Sequence, residues 1–190
     1  MKILSICGSP RKGNSEAIAL KIQALLKEKG VENEIILLRE KSIKRCLGCV
    51  EFCNEELKCQ IQDGMQEIMD KMEKADGFVF ICPNYFNMPT GLFKDYIDRC
   101  SVLFTAGKQD EFAKKKAVVV VVGGDKPEAH ETCLDNIAGN FCEIVGMKVV
   151  GRKGFQGNSE LKGNCNDIFE SGLNPNILKD LQGLVDSVIS

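Results

Sequence analysis

The chain has 190 residues, 44% hydrophobic and 27% charged, enough for one domain with a full core. Its net charge is −2 with no charge block, which sets aside nucleic acid and anionic membrane as partners. No apolar run reaches the roughly 18 residues of a transmembrane helix, and the opening MKILSICGSP is too short for a signal peptide, so a cytoplasmic protein is expected.

Strand and helix signals alternate along the chain. Lys2–Cys7 is a short apolar strand. Asn14–Lys29 is helical, with Ile18, Ile22, Leu25 and Leu26 on one face and Gly30 as its stop. Glu34–Leu38 is a second strand, followed by a cysteine-rich insert over residues 40–62. Asp63 and Gln66 have capping-box spacing and open a helix whose Met65, Ile68, Met69 and Met72 form a core stripe. Gly77–Cys82 is a third strand and Gly91–Phe104 a helix. Ala117–Val122 is an unbroken valine-rich run, suited to a central strand buried on both faces. Glu128–Val145 is a helix, with His130 near its start expected at the surface. Lys148–Val150 is a short last strand. Residues 151–176, rich in Gly and Asn, predict a long loop before a closing helix over Ile177–Ile189. No linker or repeat intervenes, so residues 1–190 are expected to be a single domain, with residues 151–190 as a C-terminal loop plus helix.

Five strands with crossover helices make an α/β protein with a doubly wound parallel sheet and helices on both faces. Taking the strand order as 2-1-3-4-5, ligands bind at the carboxyl ends of strands one and three, the switch point. The loops Gly8–Ser15 and Pro83–Thr90 then meet there, with Gly123-Gly124-Asp125 beside them.

The first loop, CGSPRKGNSEA, is one residue from a P-loop. Gly8, four residues, then Gly13-Asn14-Ser15 has the spacing, but Asn14 stands where the lysine belongs and Lys12 is displaced. No aspartate of the Walker-B kind ends an apolar strand, which argues against triphosphate hydrolysis. The G-x-G-x-x-G fingerprint is absent after this strand, which argues against a dinucleotide site. A phosphate monoester fits what remains. Ser9 and Ser15 offer hydroxyls, Asn14 an amide, Arg11 a charged fork, and the helix its amide end.

GSPRKGNS after the first strand and PNYFNMPTGLFKDYIDR after the third resemble the NADPH-dependent FMN reductase family of flavodoxin-like proteins, roughly from Met1 to Val150. The second motif is the more specific: Pro83, Tyr85, Phe86, Gly91, Asp98 and Arg99 match the family form, and Asn84 replaces its usual branched residue. The resemblance implies a flavodoxin-like fold and FMN as cofactor. It places the FMN phosphate on Ser9, Arg11, Lys12, Gly13, Asn14 and Ser15. It places the isoalloxazine edge along the backbone amides of Pro83, Asn84, Tyr85, Phe86, Asn87 and Met88, bordered by Gly123 and Gly124. Backbone N–H groups aimed at the ring would favour its reduced, more negative form. Tyr85 and Phe86 are candidates for packing against the ring or in the core.

Ten cysteines is a high count for a reducing compartment. Cys7, Cys82, Cys100, Cys133 and Cys142 lie in or near apolar periodic segments and are expected to be buried. CLGCVEFCNEELKC places Cys46, Cys49, Cys53 and Cys59 in fourteen residues. Four thiolates can hold a 4Fe–4S cluster or zinc. The segment resembles the compact cysteine motif of the iron–sulfur flavoprotein branch, with a second gap one residue longer than usual. Alternatively, Cys46, Cys49 and Cys53 form one helical face that docks on the sheet.

No constellation for acid–base or nucleophilic catalysis is evident, as expected where the cofactor carries the chemistry. The sequence therefore points to an FMN-binding oxidoreductase or electron-transfer protein, with a 4Fe–4S cluster. Its rivals are a cluster-free NAD(P)H-dependent FMN or quinone reductase, and a thiol or metal module on a flavodoxin-like scaffold. The expected partners are a small-molecule or redox-protein donor and acceptor, and a homodimer or homotetramer is expected.

Overall fold

The computed structural model describes residues 1–157 and 167–190. The strands are β1 (Lys2–Cys7), β2 (Glu32–Leu37), β3 (Gly77–Pro83), β4 (Lys116–Gly123) and β5 (Lys148–Gln156). They form one sheet in the order β2-β1-β3-β4-β5, parallel at every pairing. The strand order assumed from the sequence is the one found. The helices are α1 (Asn14–Glu28), α2 (Val50–Glu56), α3 (Met65–Lys74), α4 (Gly91–Arg99), α5 (Ser101–Thr105), α6 (Gln109–Phe112), α7 (Glu131–Ile137), α8 (Glu143–Val145) and α9 (Ile177–Ile189).

The alternation of strand side chains sends consecutive residues to opposite faces, and each face has its own core. Val119 and Val121 of β4 join Leu4, Ile6, Phe78 and Phe80, covered by the methionine stripe of α3 and by α4 and α7. Val118, Val120 and Val122 join Ile3, Val79 and Ile81, covered by α1 and α9. The five cysteines expected inside, Cys7, Cys82, Cys100, Cys133 and Cys142, are all buried.

Several boundaries differ from expectation. β5 continues to Gln156, six residues past its expected end, so residues 151–156 are strand and not loop. Gly151, Arg152, Lys153 and Gly154 hide it, because an outer strand with one free edge tolerates charge. Arg152 is paired with Glu131 and Asp135, and Lys153 with Asp180. The helix expected over Glu128–Val145 is segmented, with a 3₁₀ entry at Pro127–His130 and a π turn at Ala138–Cys142 between α7 and α8. The one expected over Gly91–Phe104 divides at Cys100 into α4 and α5. At the start of α3, Asp63 Oδ1 accepts from the Met65 amide, but Gln66 bonds Asp70, so the reciprocal half of the capping box is absent. On the other outer strand, β2, Glu32 pairs with Lys2 of β1, and Glu34 pairs with Lys2 and with Lys71 of α3.

Candidate functional site

The turn after β1 is held from beneath. The Gly8 amide donates to Ile81 O at 2.8 Å, and Thr90 Oγ1 donates to Gly8 O at 2.7 Å. A Cβ on Gly8 would come within 2.3 Å of Phe93 Cδ2, so only glycine fits. Thr90 also caps α4, accepting from the Phe93 amide at 3.2 Å. One hydroxyl thus ties the first loop to the helix behind the second. Ser9 Oγ donates to Arg11 O at 2.7 Å, which closes the turn on itself. Gly13 stands at the N-cap of α1 with no side-chain cap, so the first-turn amides are not consumed locally. The Asn14 side chain is turned toward the C-terminal segment. Its Oδ1 accepts from the Ile168 amide at 3.1 Å, and its Nδ2 donates to Asp167 at 3.4 Å. Arg11 is exposed and makes no ion pair among the described residues.

The second loop leaves β3 while still paired to the sheet, with the Asn84 amide donating to Val122 O at 2.8 Å. Tyr85 and Met88 then exchange both backbone hydrogen bonds at 3.0 Å across Phe86 and Asn87. Those two have φ of 53° and 61°, a type I′ turn, which asparagine tolerates and phenylalanine does so only at a cost. Phe86 projects fully into solvent.

A cleft of about 510 Å³ opens between these loops. Of the residues nominated from the sequence, Ser9, Arg11, Gly13, Asn14, Ser15, Pro83, Asn84, Tyr85, Gly123 and Gly124 line it. Lys12, Phe86, Asn87 and Met88 do not; Met88 Sδ instead accepts from Asn136, and Met88 borders a small separate pocket. Asp125, expected beside the loops, lines the cleft as well. Val122 and Gly157 were missed. Gly157 arrives because β5 is longer than its apolar pattern shows, and its amide donates to Gly123 O at 2.6 Å. Arg11, Asp125 and Tyr85 are the ionisable residues in the lining, and burial keeps the neighbouring Cys7 thiol up at about 11. These residues make no acid–base or nucleophilic pair among the described residues, an arrangement suited to a site whose chemistry a cofactor supplies.

His130, expected at the surface, is fully buried. It sits over the carboxyl ends of β4 and β5, where Gly123 and Gly154 leave room for it. A Cβ on Gly123 would lie 2.4 Å from His130 Cε1, and one on Gly154 would lie 3.2 Å from its Cβ. Burial holds its pKa below the ordinary imidazole value.

The cysteine segment forms a flap over the α4 side. A buried clamp closes it. Arg99 donates to both carboxylate oxygens of Asp63, at 2.7 and 3.1 Å, to Lys44 O at 2.8 Å and to Ile61 O at 3.3 Å. Asp63 Oδ2 in turn accepts from the Lys44 amide at 2.7 Å. The two ends of the segment are thereby brought together. Within it, Cys49 is the N-cap of α2 and Cys53 lies inside that helix. Burial pushes the Cys53 thiol up to about 11, and the nearby Cys49, Cys59 and Cys46 push the same way. The four thiols share one fourteen-residue segment, although among the described residues no three donors stand in ligating positions. The single-face alternative is overturned: Cys46 and Cys49 precede α2, and Cys46 is exposed, so these three do not dock a helix as one buried stripe.

The model of a family described as NADPH-dependent FMN reductase matches residues 1–159. Over 152 residues the chain is 37% identical to an iron–sulfur flavoprotein of Methanocaldococcus jannaschii, covering 80% of this chain and 76% of that protein. It is 34% identical over 154 residues to one of Methanosarcina thermophila, covering 80% and 78%. Among solved structures, an NAD(P)H:quinone oxidoreductase from Methanothermobacter marburgensis superposes with a TM-score of 0.73 at 20% identity, over 98% of this chain and 95% of that one. The apo form of an NADH:FMN oxidoreductase gives 0.67 at 18% identity, over 97% and 86%. These two likenesses speak to the fold. No described helix is long and apolar enough to cross a membrane.

Proposed function

This chain belongs to the NADPH-dependent FMN reductase family, and from that premise we propose which of its residues hold the cofactors. Membership makes it a flavin-dependent oxidoreductase with FMN as cofactor. We assign the FMN phosphate to the Ser9–Ser15 turn and the ring to the wall formed by Pro83, Asn84, Tyr85, Gly123 and Gly124. One observation carries this: the uncapped start of α1, the exposed Arg11 and the glycine-lined wall open into the same cleft. A monoester dianion suits uncapped helix amides and a guanidinium, and glycines let a flat ring approach backbone. In the phosphate role Ser15 supplies a hydroxyl and Ser9 supplies its own on releasing Arg11 O, whereas Asn14 serves mainly to tie the 167–168 segment over the turn.

The second assignment is a 4Fe–4S cluster on Cys46, Cys49, Cys53 and Cys59. The donor set fits it in chemical kind: four cysteine sulfurs within fourteen residues, in a flap closed by the Asp63–Arg99 clamp. Bound together, a flavin and a one-electron cluster interconvert two-electron and one-electron exchange. The chain's own part is to supply thiolates and to keep the flap shut. A cluster-free NAD(P)H-dependent reductase is the second reading, favoured by the absence of three thiols already in ligating positions among the described residues. A homodimer or homotetramer in the cytoplasm completes the proposal. The oligomer is supported by an apolar groove lined by Cys46, Ile97, Phe104, Phe141 and Ile144.

The test is titration of apoprotein with FMN and with riboflavin. FMN binds far more tightly if a phosphate is held, and Arg11→Ala loses on the order of 1.5–3 kcal/mol, the range for hydrogen bonds to a charged group. Equal affinities would remove the phosphate assignment. Oxygen-free purification checks the cluster: about four iron and four sulfide per chain are expected. Cys49→Ser or Cys53→Ser is expected to lose them and retain FMN. Iron below about one per chain, with iron and sulfur in ample supply, would favour the cluster-free reading.

A further inference from the structure

The phosphate end of the cleft has a charged neighbour that its lining does not show. Asn14, the first residue of α1, lines the cleft and is 8% exposed. Its side-chain amide has one orientation. The Ile168 amide, which can only donate, lies 3.1 Å from Asn14 Oδ1, so the NH₂ group faces the other way. Nδ2 then stands between two groups. Asp167 Oδ1 is 3.4 Å from it, and a Cβ added to Gly157 of the cleft wall would come within 3.0 Å. A carboxylate therefore sits one amide group away from the turn assigned to the FMN phosphate.

Asp167 is held in that position. Ile168 is 1% exposed and joins Ile18 and Ile22 of α1 in the core. The Asp167 carbonyl accepts from the Glu170 and Ser171 amides, both at 2.8 Å. Farther on, Asn174 exchanges two hydrogen bonds with the backbone of Gln156, at 3.1 and 2.6 Å, which fastens the segment to β5. The carboxylate thus stands at the first turn of α1, where the helix dipole favours negative charge. The same helix end, with no side-chain cap, is the one offered to the phosphate. Cations do not make up the difference. Arg11 is the cation in the cleft lining, and Asp125 in the same lining matches it in charge. With Asp167 added, carboxylates outnumber the guanidinium around a site for a dianion.

We propose that Asp167 is a built-in rival of the flavin phosphate: its carboxylate occupies the positive end of α1 in the apoprotein and repels the phosphate on binding, which keeps FMN exchangeable. This rests on the assignment of the phosphate to the Ser9–Ser15 turn and adds a residue that limits it. Two negative groups at one helix end make binding weaker than helix, guanidinium and hydroxyls alone would give. Riboflavin, which lacks the phosphate, is indifferent to the carboxylate.

Asp167→Asn removes the charge and keeps the shape and an acceptor for Asn14. Titration of apoprotein with FMN and with riboflavin, together with apoprotein melting, reads the result. FMN is expected to bind about three- to tenfold more tightly to Asp167→Asn, mostly through slower release, with riboflavin unchanged. The melting point of the apoprotein is expected to move the other way, down by about 1–3 °C, because the helix end loses its anion. A merely structural role for Asp167 would lower stability and FMN affinity together. Asp167→Glu, which keeps the charge, is expected to bind FMN within about twofold of wild type. FMN affinity unchanged or lowered in Asp167→Asn would overturn the proposal, as would equal tightening of FMN and riboflavin. Either result, with a wild type that still prefers FMN, leaves the phosphate assignment standing. A wild type that binds the two flavins equally removes that assignment instead.

Discussion

At the scale of single residues, the cleft depends on positions where nothing larger fits. Gly8 is the strictest. An added methyl would meet the ring of Phe93, which is itself fully buried and cannot retreat. Gly8→Ala is expected to cost about 1–3 kcal/mol in urea unfolding, the range for overpacking, and to weaken FMN binding in the same variant. Tyr85 is the other telling residue. It lines the cleft and is 46% exposed, so it is not a core aromatic and is available to what the cleft holds. Tyr85→Ala is expected to leave unfolding unchanged within about 0.5 kcal/mol and to alter flavin affinity and absorption. Unchanged flavin properties would take Tyr85 out of the site. The sequence showed the glycines and hydroxyls of the turn, because their spacing follows a recognisable pattern. It did not show that Asn14 turns away to residues 167–168, since that contact spans more than 150 residues. Nor did it show His130 buried, because only tertiary packing brings two glycines of different strands beneath one ring.

At the scale of elements, the Asp63–Arg99 clamp makes a pH-dependent statement. Burial raises the Asp63 carboxyl, but the Arg99 guanidinium and the amides of Lys44 and Met65 outweigh it and bring it down to about 2. A carboxyl depressed on folding adds stability above its unfolded value, near 3.8, and loses it as pH falls through the folded value. The window is therefore about pH 4 down to pH 2, with an effect on the order of 2 kcal/mol. Asp63→Asn is expected to be less stable at neutral pH and to show a flatter stability profile across that window. Equal slopes for wild type and variant would contradict the clamp. A sequence has no signature for this pair, because its partners lie 36 residues apart on separate elements. The elements themselves were largely legible. α9 was expected over its observed residues, and β1, β3 and β4 to within a residue at each end. Hydrophobic period carries that information. β5 and the segmented helix before it were not legible, because glycine and charge interrupt the period in the first and a π turn shifts it in the second.

At the scale of the whole molecule, the parallel sheet was legible because alternating strand and helix periods admit few topologies, whereas the strand order was assumed, periodicity being silent on it, and is the one found. The position of the cleft followed from the order, since the switch point lies between β1 and β3. Such a sheet is open, and its two outer strands differ from its interior in one respect described above. β2 carries Glu32 and Glu34 under Lys2 and Lys71, and β5 carries Arg152 and Lys153 under Glu131, Asp135 and Asp180. Unpaired strand edges are templates for foreign strands, and charge at an edge makes an approaching strand desolvate it. The three inner strands, nearly all apolar, are the segments that would otherwise stack without limit. The charges at the margins therefore act as gatekeepers against fibril growth. Wild-type apoprotein stirred at high concentration is expected to stay clear of thioflavin-positive material. A variant with Glu34→Val and Lys153→Val is expected to nucleate it, with the native fold intact at the outset.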